Sequence, residues 1–218
     1  MKTYKQLAVL VILALSLPSG VCEASEGSNA TVLGVAQAIA DGGGYNRQWK
    51  GSGTPREIVF KSKKILSKGH GTYCSGFTFT VAMDAMEKLG LSEDKTVEQI
   101  KSFQRNWYGN SDIEVVREKQ SQIAVVELGV GRAVKSIDAR AGDYLQFWRS
   151  KTGHSVVFLG WIKEKNEDTG ERITVGLRYR SSQGSTNGVG DVEERFKGSG
   201  GSVDRERMYF ARLDHAKD

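Results

Sequence analysis

The chain has 218 residues, 39% hydrophobic and 26% charged, which is typical of a globular protein with one sizeable core or two small ones. Thirty-one lysines and arginines against 26 acidic residues give a net charge of +5, which suits an anionic partner such as a cell-wall polymer and equally serves solubility. The sequence has neither a block of basic residues nor a nucleic-acid-binding motif, which argues against a nucleic-acid partner.

The first 24 residues have the features of a secretory signal peptide. A positively charged start precedes the apolar run LAVLVILALSL, Leu7 to Leu17, which is too short to span a bilayer. Small residues fit cleavage after Ala24, so we expect a secreted or periplasmic protein with no later membrane segment. The less favoured alternative is a lipoprotein modified at Cys22, because Val21 is a poor residue directly before such a cysteine.

Two helices are predicted before the second cysteine. ATVLGVAQAIADGGG contains helix formers closed by glycines, and GGGYNRQWKGSG then reads as a flexible loop. In TPREIVFKSKKILSKG, Thr54 is a candidate N-cap, Pro55 stands at the first helical position and Glu57 completes a capping box. Gly69 ends this predicted helix.

The stretch GTYCSGFTFTVAMDAMEKLG predicts a helix that begins next to a cysteine. From Ser75 onward apolar residues recur at helical spacing, and Gly90 ends the run; these residues are Phe77, Val81, Met86 and Leu89. Cys74 therefore lies in the first turn. It is also the single cysteine left after signal cleavage, so it is either buried and inert or a working thiol.

The middle of the chain predicts further helices. TVEQIKSFQRNW carries a capping box at Thr96 and Gln99, and EVVREKQSQIAVVELGVG predicts a helix that ends at Gly129. We interpret the segment from Leu91 to about Ser136 as an all-helical insertion.

The last third of the chain predicts a small antiparallel sheet. The segments GDYLQFWR, HSVVFLGWI, RITVGLRYR and ERMYFARL are rich in β-branched and aromatic residues and are separated by turn residues. GSTNGVGDVEERFKGSGGS is predicted to be a long loop between the last two strands. Helices followed by a sheet indicate an α+β fold, and residues 25–218 are predicted to form a single domain.

The position of Cys74 suits nucleophilic catalysis. A thiol with an ordinary pKa of about 8.5 ionises more readily at a helix N-terminus or beside an imidazole. The free N–H groups of a first turn also stabilise an oxyanion. Tyr73 and Ser75, the neighbours of the cysteine, are candidate oxyanion or substrate-binding residues, although Tyr73 equally suits packing.

Three histidines are candidate bases. His154 is preferred because it opens a predicted core strand, which would hold the ring rigidly. His70 lies in a glycine-flanked loop, and His215 lies close to the C-terminus. A structural role for His154 remains the alternative.

A third group should orient the imidazole. Alternation along RITVGLRYRSSQ places Tyr179, Ser181 and Gln183 on one face, and Gln183 has the best acceptor on a side chain of sufficient length. A loop-capping amide is an equally good interpretation of Gln183. No His/Cys/Asp/Glu cluster has metal-ligand spacing and no glycine-rich stretch fits a phosphate loop, so no metal or cofactor is expected.

Three segments together resemble the NlpC-type papain-like cysteine peptidases and their CHAP amidase relatives. YCSGF is similar to their helix entry, AGDYLQFW to their Gly-Asp strand and GHSVVFLGW to their Gly-His strand, in the order of the family. The resemblance implies a papain-like fold, Cys74 as nucleophile, His154 as base and hydrolysis of amide bonds in peptidoglycan. The chain departs from the family in Tyr179, where the family often has histidine, and in Tyr73, where an aspartate is common.

We therefore expect an exported, monomeric cysteine hydrolase that acts on peptidoglycan or another peptide. A non-catalytic wall-binding or protein-binding module is the alternative, and it would keep the groove without a reactive thiol. An acyltransferase or a toxin-like effector on the same scaffold is a third possibility.

Overall fold

The computed structural model describes residues 20–167 and 169–214, with side chains from residue 27 onward. The first helix, α1, spans Gly20–Ala38. Apart from residues 20–24, the predicted signal segment lies outside the described residues, as do the side chain of Cys22 and all of His215.

A seven-stranded antiparallel sheet forms the centre of the fold, with strand order β1-β8-β7-β6-β5-β9-β4. Its strands are β1 Gly42–Gly43, β4 Gly131–Val134, β5 Tyr144–Arg149, β6 Thr152–Lys165, β7 Arg172–Gln183, β8 Gly188–Arg195 and β9 Met208–Leu213. A separate two-stranded hairpin consists of β2 Ile58–Phe60 and β3 Lys63–Leu66. The predicted α+β class with an antiparallel sheet is thus confirmed.

Four more helices follow α1: α2 Cys74–Lys88, α3 Val97–Trp107, α4 Glu114–Lys119 and α5 Ser121–Leu128, with a short 3₁₀ turn at Ser136–Asp138. The predicted capping box is confirmed, since the Thr96 hydroxyl accepts from the N–H of Gln99 and the Gln99 side chain accepts from the N–H of Thr96. Gly129 ends α5 in the left-handed conformation (φ 69°), as its position predicts.

The core consists of two apolar clusters. The first contains the buried residues of α2, α3 and α5 together with sheet residues such as Tyr144 and Val157. The second contains the alternate residues of the same strands, among them Phe147, Phe158 and Tyr179. Because successive strand residues point to opposite faces, the central strands are apolar on both sides. In the second cluster, residues of the 196–203 segment pack on the sheet.

The helix predicted over residues 54–69 is wrong, because this segment forms the β2–β3 hairpin. Lys61 and Ser62 connect the two strands with positive φ angles of 45° and 60°, which is the two-residue turn that matches the twist of a hairpin. Ile58, Val59 and Ile65 are β-branched and favour strands. The N-terminal capping signals were present, but no helix follows them.

Two further predictions need correction. The helix predicted to end at Gly129 is broken at Gln120 (φ 42°) into α4 and α5, and the predicted all-helical segment also contains strand β4, which pairs with β9. The long loop predicted after Gln183 contains β8, which pairs with β7 along its whole length. In β4, hydrogen bonds to the distant strand β9 outweigh a helix-like local composition, and in β8 a hairpin ladder with the preceding strand β7 outweighs a glycine-rich one.

In the described part of the chain, no helix combines the length and apolarity needed to cross a bilayer.

Candidate active site

Cys74 is the first residue of α2, as the sequence predicts. Tyr73 precedes the helix with extended backbone (φ −143°, ψ 170°), and no side chain caps the first turn. The N–H groups of Cys74 and Ser75 therefore have no partner within the helix and point out of its N-terminus. This end carries the positive part of the helix dipole, which favours an anion at the cysteine.

The loop of residues 51–53 packs closely on the start of α2. The N–H of Tyr73 donates to Gly53 O at 3.3 Å, and the Tyr73 hydroxyl donates to Gly51 O at 2.6 Å. A Cβ on Gly76 would lie 2.2 Å from the carbonyl atoms of Gly53, so only glycine fits at this position. These contacts hold the helix entry in place. Because the Tyr73 hydroxyl already donates its hydrogen to Gly51 O, an oxyanion would have to compete with this carbonyl for it.

His154 lies near the start of β6, opposite Phe147 of β5. The residue is 6% exposed, and its ring packs edge-on against Phe147 and Tyr179, with centroid distances of 5.6 Å and 5.5 Å. Two aromatic rings thus restrict the imidazole to one orientation.

Gln183, at the end of β7, contacts the outer nitrogen of this imidazole. Its Oε1 lies 2.9 Å from His154 Nε2, and its Nε2 donates to Ser185 Oγ at 2.6 Å. With Oε1 as the acceptor, His154 carries a hydrogen on Nε2, and Nδ1 remains available to the thiol. Of the other two candidate orienting residues, Ser181 donates to Ser155 O at 2.7 Å, and Tyr179 contacts Gln183.

The thiol of Cys74 is partly exposed, and its surroundings favour the thiolate. Burial raises its pKa, but hydrogen bonding to His154 and the charge of that imidazole lower it more, with smaller contributions from the Ser155 backbone and the Ser75 hydroxyl. The net effect lowers the pKa of Cys74 to about 7, below the ordinary value of a thiol. The Ser75 hydroxyl lies 3.9 Å from the sulfur.

Alkylation of Cys74 by iodoacetamide should therefore reach half its maximal rate near pH 7, because only the thiolate reacts. In His154→Ala the midpoint should rise to about pH 9 or higher, since burial remains while the stabilising partner is lost. Peptide mass spectrometry of the Cys74 peptide across a pH series measures this. His70→Ala is the matched control and should leave the midpoint near pH 7. A midpoint that does not move in His154→Ala would contradict the pairing.

The cysteine opens into a cleft of about 1220 Å³. Its lining includes the aromatic residues Tyr45, Trp49, Tyr73 and Tyr108, the basic residues Lys68, His70, Arg149 and Lys151, and the site residues Cys74, Ser75, His154 and Gln183. No aspartate or glutamate of the described chain lines this cleft. The cleft is thus positively charged and partly aromatic, and the thiol is accessible from it.

Two tyrosines beside the cysteine stay protonated around neutral pH. Burial, and then the charge of Cys74, raise the pKa of Tyr73 to about 12. Burial also raises the pKa of Tyr108, whose hydroxyl donates to Ser52 O at 2.7 Å. Both side chains hold the 51–53 loop against the cleft wall. Sequence reasoning missed Tyr108, because it follows a helix without any motif of its own.

The structure thus brings together Cys74, His154 and Gln183, which lie far apart along the chain. His70 lines the same cleft as an exposed loop residue, while the hydrogen bond that lowers the thiol pKa comes from His154. Within residues 20–167 and 169–214, no group of three His, Cys, Asp or Glu side chains is placed to hold a metal ion.

Comparison of the chain with protein-family models, with curated proteins and with solved structures gives no match. Function is therefore inferred from the side chains of the cleft and from their contacts.

Proposed function

We propose that the protein is an exported cysteine hydrolase with a papain-like fold, which cleaves amide bonds in peptidoglycan peptides. The observation that carries this proposal is the contact of an accessible thiol at a helix N-terminus with an imidazole whose other nitrogen meets an amide oxygen. Thiol, base and orienting group in this arrangement are the recurring requirements of nucleophilic catalysis. The order of elements, a cysteine helix followed by an antiparallel sheet, agrees with the resemblance to NlpC-type enzymes.

In the first half of the reaction, His154 Nδ1 accepts the proton of Cys74, and the thiolate attacks the carbonyl carbon of the scissile amide. The negative charge that develops on the carbonyl oxygen is stabilised by the N–H groups of Cys74 and Ser75 at the helix N-terminus. The imidazolium then gives its proton to the amide nitrogen. The C–N bond breaks, the amine leaves, and the acyl group remains on sulfur as a thioester.

In the second half, water replaces the amine. His154 removes a proton from the water, whose oxygen attacks the thioester carbonyl. The C–S bond breaks, the carboxylic acid product leaves with the other hydrogen of the water, and the proton taken by His154 remains with the regenerated thiolate–imidazolium pair. Throughout, Gln183 Oε1 accepts the Nε2 hydrogen of the ring and so keeps Nδ1 directed at the reacting groups.

The charge of the cleft favours substrates with carboxylates. Lys68 and Lys151 are exposed at its wall, and no acidic side chain of the described residues lines it. Peptides of the bacterial cell wall carry free carboxylates, so they complement this surface. Trp49, 64% exposed, adds a flat apolar surface to the cleft wall.

Lys151→Glu should therefore weaken substrate binding. We expect KM for carboxylate-bearing fragments to rise about three- to tenfold with little change in kcat, since the residue lies away from the reacting atoms. Lys163→Glu, the same charge change further along β6 and outside the cleft, is the matched control. Steady-state kinetics of both variants measure the effect. Equal KM values in the two variants would argue against recognition by charge.

The function itself is tested with purified, depolymerised wall fragments and the full chain, with products identified by mass spectrometry. Hydrolysis adds one water per cleaved amide and yields a new amine and a new carboxylate, and Cys74→Ala should yield neither. An added amine that appears in the product would indicate acyl transfer. Intact fragments together with an ordinary alkylation pKa at Cys74 would favour the binding module instead.

A further inference from the structure

Hydrogen bonds extend from the proposed catalytic residues into the sheet. Gln183 Oε1, which faces His154, lies 2.9 Å from the Tyr179 hydroxyl. The same hydroxyl donates to Glu194 Oε1. Arg149 holds the carboxylate of Glu194 with two N–H groups, one of them Nε at 2.7 Å from Oε2. Arg149 Nη2 also lies 3.4 Å from the Tyr179 hydroxyl.

Strand register places these side chains together. Tyr179 of β7 stands opposite Val192, and Leu177 stands opposite Glu194 of β8. Glu194 is therefore the diagonal neighbour of Tyr179 on the same sheet face, within reach of its hydroxyl. Arg149, the last residue of β5, reaches the same face from the other side of His154.

The protonation states of Glu194 and Tyr179 allow these two residues to hold Gln183 in one orientation. Burial raises the pKa of Glu194, but the hydrogen bonds of Arg149 and Tyr179 and the charges of Arg149 and His154 lower it more, so Glu194 is ionised. Burial, followed by the charge of Glu194, raises the pKa of Tyr179, so its hydroxyl keeps its single hydrogen. That hydrogen has two acceptors within reach, the carboxylate and the Gln183 oxygen.

We propose that Glu194 is a positioning residue of the cysteine site, which acts on His154 through Tyr179 and Gln183 and stabilises the charged imidazole that accompanies the Cys74 thiolate. Fixing the hydroxyl of Tyr179 fixes the amide of Gln183, and this amide orients the ring. The negative charge of Glu194 lies nearer to the imidazole than to the sulfur in this chain of contacts. It therefore favours transfer of the proton from sulfur to nitrogen.

This inference rests on the proposed Cys–His pair but not on the identity of the substrate. It assigns a role to a residue of β8 that does not itself line the cleft and reaches the site through Tyr179 and Arg149. Loss of the carboxylate would leave Arg149 near the imidazole without its counter-ion, which further disfavours the imidazolium.

The test compares Glu194→Gln with Glu193→Gln in the full chain. Glu193 is exposed and is the adjacent residue of the same strand, so its variant makes the same charge change outside the network. The rate of iodoacetamide alkylation of Cys74 is measured across pH on the Cys74 peptide. The other titratable groups beside the sulfur are Tyr73 and Tyr108, both protonated in this range, with His70 on the cleft wall.

For Glu194→Gln we expect the alkylation midpoint to rise by about half to one pH unit, which is about three- to tenfold slower alkylation at pH 6. Glu193→Gln should match the wild type. With wall fragments, kcat should fall while KM stays constant, because the effect acts on the thiolate and not on binding. A role confined to packing would lower the unfolding temperature without moving the alkylation profile.

A folded Glu194→Gln protein whose profile superimposes on that of the wild type would overturn the inference. If Glu194→Gln does not fold, Tyr179→Phe replaces it, because this variant keeps the Arg149–Glu194 pair and removes only the connecting hydroxyl. An alkylation profile of Tyr179→Phe that matches the wild type would likewise overturn the inference. A shifted profile in a protein that cleaves no fragment supports the inference and counts against the hydrolase. If the wild-type protein itself shows an alkylation midpoint at the ordinary pKa of a thiol, both the role of Glu194 and the proposed hydrolase function are overturned.

Discussion

Replacement of Cys74 by alanine is expected to lower kcat for cleavage of wall fragments by about four to six orders of magnitude, to the detection limit of the assay. The thiolate forms the covalent intermediate, and neither the helix N-terminus nor His154 supplies a second nucleophile. The variant should fold, because the side chain is small and partly exposed. Product formation is measured by mass spectrometry under identical conditions for both proteins.

Two companion variants sharpen this expectation. Cys74→Ser keeps the size of the side chain but not its acidity, and it should also lose nearly all activity, since a hydroxyl is far harder to ionise than a thiol. Cys22→Ser changes the other cysteine, which the proposed mechanism does not use, and should retain activity. Cleavage by Cys74→Ala at the wild-type rate would show that the reaction does not use the thiol of Cys74.

The largest effect on stability is expected from Arg212→Met, which breaks a fully buried ion pair. Arg212 and Asp143 are 3% and 0% exposed, and two hydrogen bonds join them, Nε to Oδ1 at 2.7 Å and Nη2 to Oδ2 at 2.8 Å. Asn29 of α1 donates to the same carboxylate at 3.0 Å. Removal of the guanidinium leaves a buried carboxylate without its counter-ion, which should lower the free energy of unfolding by about 3–5 kcal/mol.

Urea unfolding at neutral pH measures this loss, and two variants control for it. Arg195→Met breaks the exposed Arg195–Glu164 pair and should cost about 1 kcal/mol or less. The double variant Arg212→Met/Asp143→Leu removes both buried charges and should recover much of the stability. If Arg212→Met costs no more than Arg195→Met, the buried pair does not hold α1 and the sheet together.

For Asp143, the sequence predicts the local position but not the ion-pair partner. Its place after Gly142 and directly before a predicted strand is typical of a turn residue rather than of an acid catalyst. It does lie directly before β5, and it does not line the cleft. Its partner Arg212 lies 69 positions later, and no local pattern connects the two residues.

Much of the scaffold of the candidate site follows from local pattern. The helix that begins at Cys74, the capping box of Thr96 and the strands β5, β6, β7 and β9 each carry their own periodicity or cap. Strand alternation also put forward Tyr179, Ser181 and Gln183 as partners for His154, and the acceptor and length of the Gln183 side chain favoured Gln183. These features are predictable because helix and strand preferences, caps and alternation depend on residues close together in sequence.

The rest depends on how strands pair, which local caps and composition do not reveal. The 58–66 segment follows the helix-capping signals of Thr54 and Glu57 and still becomes a hairpin, and β8 forms in a glycine-rich segment because β7 offers it a full ladder of hydrogen bonds. The network of Tyr179 and Glu194 exists only through that register. The thiol, imidazole and amide of the candidate site could be named in advance, because their chemistry belongs to single residues. That these three groups meet, with the carboxylate of Glu194 behind them, follows from the fold, because contacts between remote residues depend on the packing of the whole chain.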